Sequence, residues 1–187
     1  PIGLWKDYQS YNSASYITEA GNKIYCVTNG GLFYINKDDN TINRMSKVTG
    51  LSDVGIKRIA YDIDSESTII TYENCNIDLL KNNRIINISD IKRKEIIGSK
   101  FINNIILKEG IAYLSCTFGL VLLDIEKEEI KDTYKIGENG DFKGINSCAF
   151  NTLNIVVASE GGVYFADINS ENLFDYNSWT LDPILTE

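Results

Sequence analysis

Four stretches of the chain repeat one another at a nearly constant interval. Residues 23–35, 68–80, 111–123 and 154–166 align on Gly31, Asn76, Gly119 and Gly162, which lie 45, 43 and 43 residues apart. Each unit reads as four short strands. In the first, the strands are 15–20, 23–28, 31–36 and 41–46, separated by Gly21-Asn22, Asn29-Gly30 and a polar turn at 37–40. These are runs rich in β-branched and aromatic residues, bounded by Gly, Asn and Asp, with no sustained helical period. Asn29-Gly30 is expected to supply positive φ to a two-residue hairpin turn, and the anchor position, Gly three times and Asn once, is expected to do the same.

A period of about 43 residues with four strands per unit marks a β-propeller blade. The fold class expected is therefore all-β, a β-propeller of four-stranded antiparallel blades at 15–54, 55–100, 101–143 and 144–187. Trp5 and Trp179 look equivalent, so residues 1–14 are expected to be the outer strand of a closing blade. About four blades and a stray strand suggest an arc of a larger propeller; a complete four-bladed ring is the alternative. An arc leaves apolar blade faces at its ends, through which an isolated segment is expected to dimerise or exchange strands.

Composition narrows the function classes. The 187 residues carry 18 Lys+Arg against 26 Asp+Glu, a net charge of −8, which disfavours nucleic acid as a partner. One segment runs the other way: Lys81, Arg84, Lys92, Arg93, Lys94 and Lys100 face only Asp90 and Glu95. It reads either as a solvated loop with gatekeeping charges or as a docking spot for an anionic partner, with Lys92, Arg93 and Lys94 at its centre. No apolar run approaches the ~20 residues of a membrane-spanning helix. The chain has no His, which removes the usual general base and most zinc and haem sites. Phosphate-cradling and nucleophile-elbow motifs are absent, so no enzyme activity, catalytic residue or cofactor is expected. Cys26, Cys75, Cys116 and Cys148 show no C-x-x-C spacing and are expected to be buried free thiols. Asp62, Asp64 and Glu66, and separately Asp38-Asp39-Asn40, offer oxygens of the kind calcium takes. Both sets sit in hairpin turns, where backbone chemistry explains them more simply, and no metal is expected.

Propellers bind through loops that rigid blades hold at one end. The loops between second and third strands bring Asn29, Asn74, Thr117 and Glu160 to equivalent positions, with Phe118 beside Thr117. The interblade loops add Asp53, Glu95 and Asp141. An exposed Phe118 would point to binding; a buried one would not.

Gly50-Leu51-Ser52-Asp53-Val54-Gly55-Ile56, followed by Ile59-Ala60-Tyr61-Asp62, resembles the two-component-regulator propeller repeat, as do the turns Asn29-Gly30-Gly31-Leu32 and Glu160-Gly161-Gly162-Val163. Where that family carries Trp in the second strand, this chain has Tyr25, Ile70, Tyr113 and Val156. A denser resemblance lies with the N-terminal propeller of the PorZ family, components of the type IX secretion attachment complex of Bacteroidetes. It rests on Trp5-Lys6-Asp7-Tyr8, residues 20–26, Gly50–Ile56, Asn76-Ile77-Asp78-Leu79 and residues 84–91. The resemblance implies an exported, non-enzymatic binding and assembly module in the periplasm or at the outer-membrane cell surface. Its implied partners are a PorU-like sortase and anionic lipopolysaccharide. The alternative is the periplasmic ligand-sensing propeller of a hybrid two-component regulator.

Overall fold

The computed structural model describes residues 10–140 and 143–183. The expected Trp5 strand and Asp141 lie outside them. Within them the chain forms four sheets, each a four-stranded antiparallel meander. The first comprises β1 (Ala14–Ala20), β2 (Lys23–Thr28), β3 (Leu32–Asn36) and β4 (Ile42–Met45). The second comprises β5 (Ile56–Asp62), β6 (Ser67–Tyr72), β7 (Ile77–Lys81) and β8 (Arg84–Ile88). The third holds β9 (Ile102–Lys108), β10 (Ile111–Cys116), β11 (Gly119–Asp124) and β12 (Glu129–Tyr134). The fourth holds β13 (Ile145–Phe150), β14 (Asn154–Ser159), β15 (Gly162–Asp167) and the two-residue β16 (Thr180–Leu181). The fold is all-β and its sheets are propeller blades. Its one α-helix among the described residues, α1 (Asp90–Arg93), is a single turn.

The sheets group into two compact units, one ending at Lys94 and one beginning at Glu95. In the first unit the two sheets bury Tyr25, Val27, Leu32, Ile59, Ile70 and Tyr72. In the second they bury Leu120, Leu122, Ile145, Ile155, Val157 and Trp179. Strand β6 is buried at all six positions, which its Ser-Thr-Ile-Ile-Thr-Tyr sequence permits because the β-branched residues fill a pleated surface on both faces. Burying a Leu or Ile is worth roughly 1.5–3 kcal/mol, so such strands dominate the stability of each unit.

Every sheet carries an irregularity at the same place. The first strand has one residue more than its partner at Ser15, Lys57, Asn103 and Asn146, so each slips register there. A bulge of this kind raises the local twist of the sheet. In the second unit it also aims a side chain, for Asn103 Nδ2 donates to the Ile145 carbonyl at 2.8 Å, joining adjacent sheets.

The turn chemistry differs from expectation at two places. Asn29, Gly30 and Gly31 all keep negative φ, and so does the anchor Asn76; the left-handed residue of the second blade is Cys75, at φ 61°. In the first blade Thr28 closes the loop instead: its amide donates to the Gly31 carbonyl at 2.9 Å and its hydroxyl accepts from the Gly31 amide at 3.2 Å. Gly30 answers to a close approach, because a Cβ there would lie 2.3 Å from the Ser10 carbonyl oxygen. Only Gly119 and Gly162 use the anchor for positive φ, at 127° and 120°.

The four cysteines are buried free thiols. Burial pushes the Cys148 thiol up to about 11, the neighbouring Ser115 hydroxyl only partly opposing it.

Candidate functional site

Two polar regions stand out in the first unit, one at each end of its strands. At the loop end, Asp53 gathers four donors, the longest contact being Asn76 Nδ2 to its Oδ2 at 3.4 Å. Asn74 Nδ2 and Lys92 Nζ each reach its Oδ2 at 2.6 Å, and the Val54 amide reaches Oδ1 at 3.1 Å. Desolvation alone would raise this carboxyl's pKa, but those hydrogen bonds and the Lys92 charge outweigh it and bring the pKa down to about 2. Beneath it, Asp78 is fully buried. Its Oδ2 accepts from Tyr72 Oη at 2.6 Å and from the Ser52 amide at 2.8 Å, while Oδ1 accepts from Asn87 Nδ2 at 2.9 Å. Burial and the adjoining Asp78 carboxylate hold the Tyr72 phenol far above its ordinary range. The network fastens the loop before β5, the β6–β7 loop and α1 onto the second sheet.

Two of the residues expected at a binding rim, Asn74 and Lys92, therefore meet on Asp53. Arg93 is exposed and pairs with Asp90 at 3.5 Å; Lys94 and Glu95 are exposed. Asn29 is exposed at the β2–β3 loop. In the second unit, Thr117 donates to the Ser99 carbonyl at 2.6 Å and accepts from the Phe101 amide at 3.1 Å, closing its own loop. Phe118 is 6% exposed, so it belongs to the hydrophobic interior and is no rim aromatic. Glu160 is exposed with its carboxylate folded against Gly144.

The acidic turns are built as turns. Asp62 is buried and accepts from the Ser65 hydroxyl at 2.5 Å and the Ser65 amide at 3.0 Å. Asp39 accepts from the Thr41 amide and hydroxyl, and Asp38 from Asn22 Nδ2 at 2.9 Å. Among the described residues no three His, Cys, Asp or Glu are grouped to hold a metal ion.

At the opposite end, the two sheets of the first unit part to leave a cleft of about 360 Å³. The β1–β2, β5–β6 and β7–β8 turns form its rim, and Tyr25, Tyr61 and Leu80 line its interior. A second hollow of about 210 Å³ shares Lys23, Tyr25, Leu80 and Asn83 with it and reaches Tyr34. Tyr25 is 2% exposed; burial, then the neighbouring Tyr34 and Tyr61 phenols, push its pKa up to about 12. This end was not expected to carry a site. The signal available was Lys81-Asn82-Asn83 in one turn and Gly21-Asn22-Lys23 in another, with Tyr25 and Tyr61 close behind.

The family model of the type IX secretion PorZ N-terminal β-propeller domain matches residues 24–180. The chain belongs to that family. Among solved structures, PorZ of Porphyromonas gingivalis, an essential bacterial surface component of its type IX secretion system, is 25% identical with a TM-score of 0.85. The match covers 95% of this chain and 23% of that one. This PorZ-family domain thus spans under a quarter of that protein. An extracellular domain from B. thetaiotaomicron, assigned to a one-component system, is 18% identical with a TM-score of 0.68, covering 91% of this chain and 24% of that one. A second, assigned to a hybrid two-component system of the same organism, is 15% identical with a TM-score of 0.60, covering 90% and 25%. At those identities the likeness to the two extracellular domains is one of fold alone. No curated protein matches the chain.

Proposed function

We propose that the chain is a non-enzymatic binding and assembly module of a PorZ-like type IX secretion component. It acts at the bacterial outer-membrane surface, assisting a PorU-like sortase to attach exported cargo to anionic lipopolysaccharide. The observation that carries this reading is the family match over residues 24–180, supported by the likeness to PorZ along 95% of the chain. The loop end of the first unit supports it chemically: the Asp53–Lys92 network makes that rim rigid, and Arg93 and Lys94 stand exposed beside it. Among the described residues no helix is long and apolar enough to cross a membrane.

Fractionation of native cells with an antibody to this domain tests the reading. The polypeptide is expected in the outer membrane, accessible to added protease on intact cells, and co-purifying with a sortase. Recovery in the inner membrane on a kinase-sized polypeptide overturns it in favour of a sensor.

A further inference from the structure

We propose that the cleft between the first two sheets binds one neutral saccharide unit. A volume of about 360 Å³ lies at the lower end of small-ligand sites, the size of a sugar of one or two rings. Its interior pairs apolar and aromatic surface, Leu80 with the rings of Tyr25 and Tyr61, with polar groups at the rim. A sugar ring offers the same pairing, a face of C–H groups edged by hydroxyls.

The rim is dominated by carboxamides, Asn22, Asn82 and Asn83, each carrying both donors and an acceptor. A hydroxyl group needs both at once, whereas a carboxylate or phosphate needs donors only. The charged residues lining the cleft are Lys23 and Glu66, of opposite sign, so the site has no net attraction for an anion. The Lys23 ammonium is moreover engaged, 4.7 Å from the centre of the Tyr34 ring.

Tyr25 is the second observation. Its side chain is 2% exposed and it lines this cleft. A tyrosine held in the wall offers a ring for the C–H face of a sugar and a hydroxyl that can donate to it or accept from it. The backbone that carries these amides is set by its turns: Asn82 and Asn83 occupy left-handed positions at φ 49° and 61°, and Asn22 keeps one amide hydrogen beyond its bond to Asp38.

This inference does not depend on the secretion reading, and either can fail without the other. The test is saturation-transfer NMR on the 187-residue chain with the methyl glycosides of glucose, galactose, mannose and N-acetylglucosamine, and with glucuronic acid as the charged comparison. At least one neutral glycoside is expected to receive saturation at its ring protons, and glucuronic acid to receive less. Asn82→Gly with Asn83→Gly keeps the turn while removing both amides, and is expected to weaken binding ~tenfold, as loss of one or two net hydrogen bonds does. Tyr25→Phe is expected to weaken it severalfold, with the melting transition of each variant recorded to exclude unfolding. Silence from all four glycosides, preference for glucuronic acid, or binding unchanged in both folded variants overturns the proposal.

Discussion

Asp53 shows how much one side chain can be worth when loops converge on it. Four donors reach it from the β6–β7 loop, from α1 and from its own loop, and those of Lys92, Asn74 and Val54 lower its pKa from the ordinary 3.8 to about 2. A depressed folded pKa means that folding favours the ionised form. The stability so gained is fully present above 3.8 and is lost as pH falls from there through about 2. Urea midpoints measured from pH 5 down to pH 2 are therefore expected to fall more steeply for the wild type than for Asp53→Asn over that window. Parallel profiles would show that ionisation of Asp53 contributes nothing to stability. Lys92 also illustrates a reading that tertiary contact alters. As a sequence it belongs to a basic patch suited to an anionic partner, while in the fold its ammonium is bonded to Asp53.

At the scale of strands and turns, similar glycines do different work. Gly119 begins β11 at φ 127°, and a Cβ there would lie 2.6 Å from the Tyr134 carbonyl oxygen. Gly110, in the β9–β10 turn, has φ 74° with open space around it. Gly110→Ala is expected to cost only the left-handed penalty, about 1–2 kcal/mol. Gly119→Ala adds backbone displacement and is expected to cost more, on the order of 3 kcal/mol or above. Denaturant unfolding of the pair checks this, and equal losses would show that the β11–β12 ladder yields to the added methyl. The recurrent bulge belongs to this scale too. Ser15, Lys57, Asn103 and Asn146 are all polar, a character too common along the chain to mark them, yet each occupies the same extra position in its strand.

For the whole molecule, the two compact units meet in sequence at a segment with little regular structure. Lys92, Arg93 and Lys94 are exposed there, and Ile97 is exposed too. Brief trypsin treatment is expected to nick the native chain first between 92 and 100, giving two fragments of similar mass, because strand lysines are held in ladders. Early cleavage within any sheet would contradict the division. The sequence on its own determined that the chain makes repeated four-stranded blades. Strand periodicity and repeat spacing are local properties, and a blade's meander pairs neighbours in the chain, so the register of one repeat predicts the next. Which loop residues are buried and which are exposed was decided only by tertiary structure. Phe118 turned inward because its loop closes on Ser99 and Phe101, and Thr28 rather than Asn29-Gly30 shaped the first hairpin because Ser10 lies against Gly30. The tyrosine cleft likewise comes into being only when two sheets, distant in sequence, leave a gap between their turns. Burial and partner choice depend on what lies across space from a residue, and the one-dimensional pattern does not carry that.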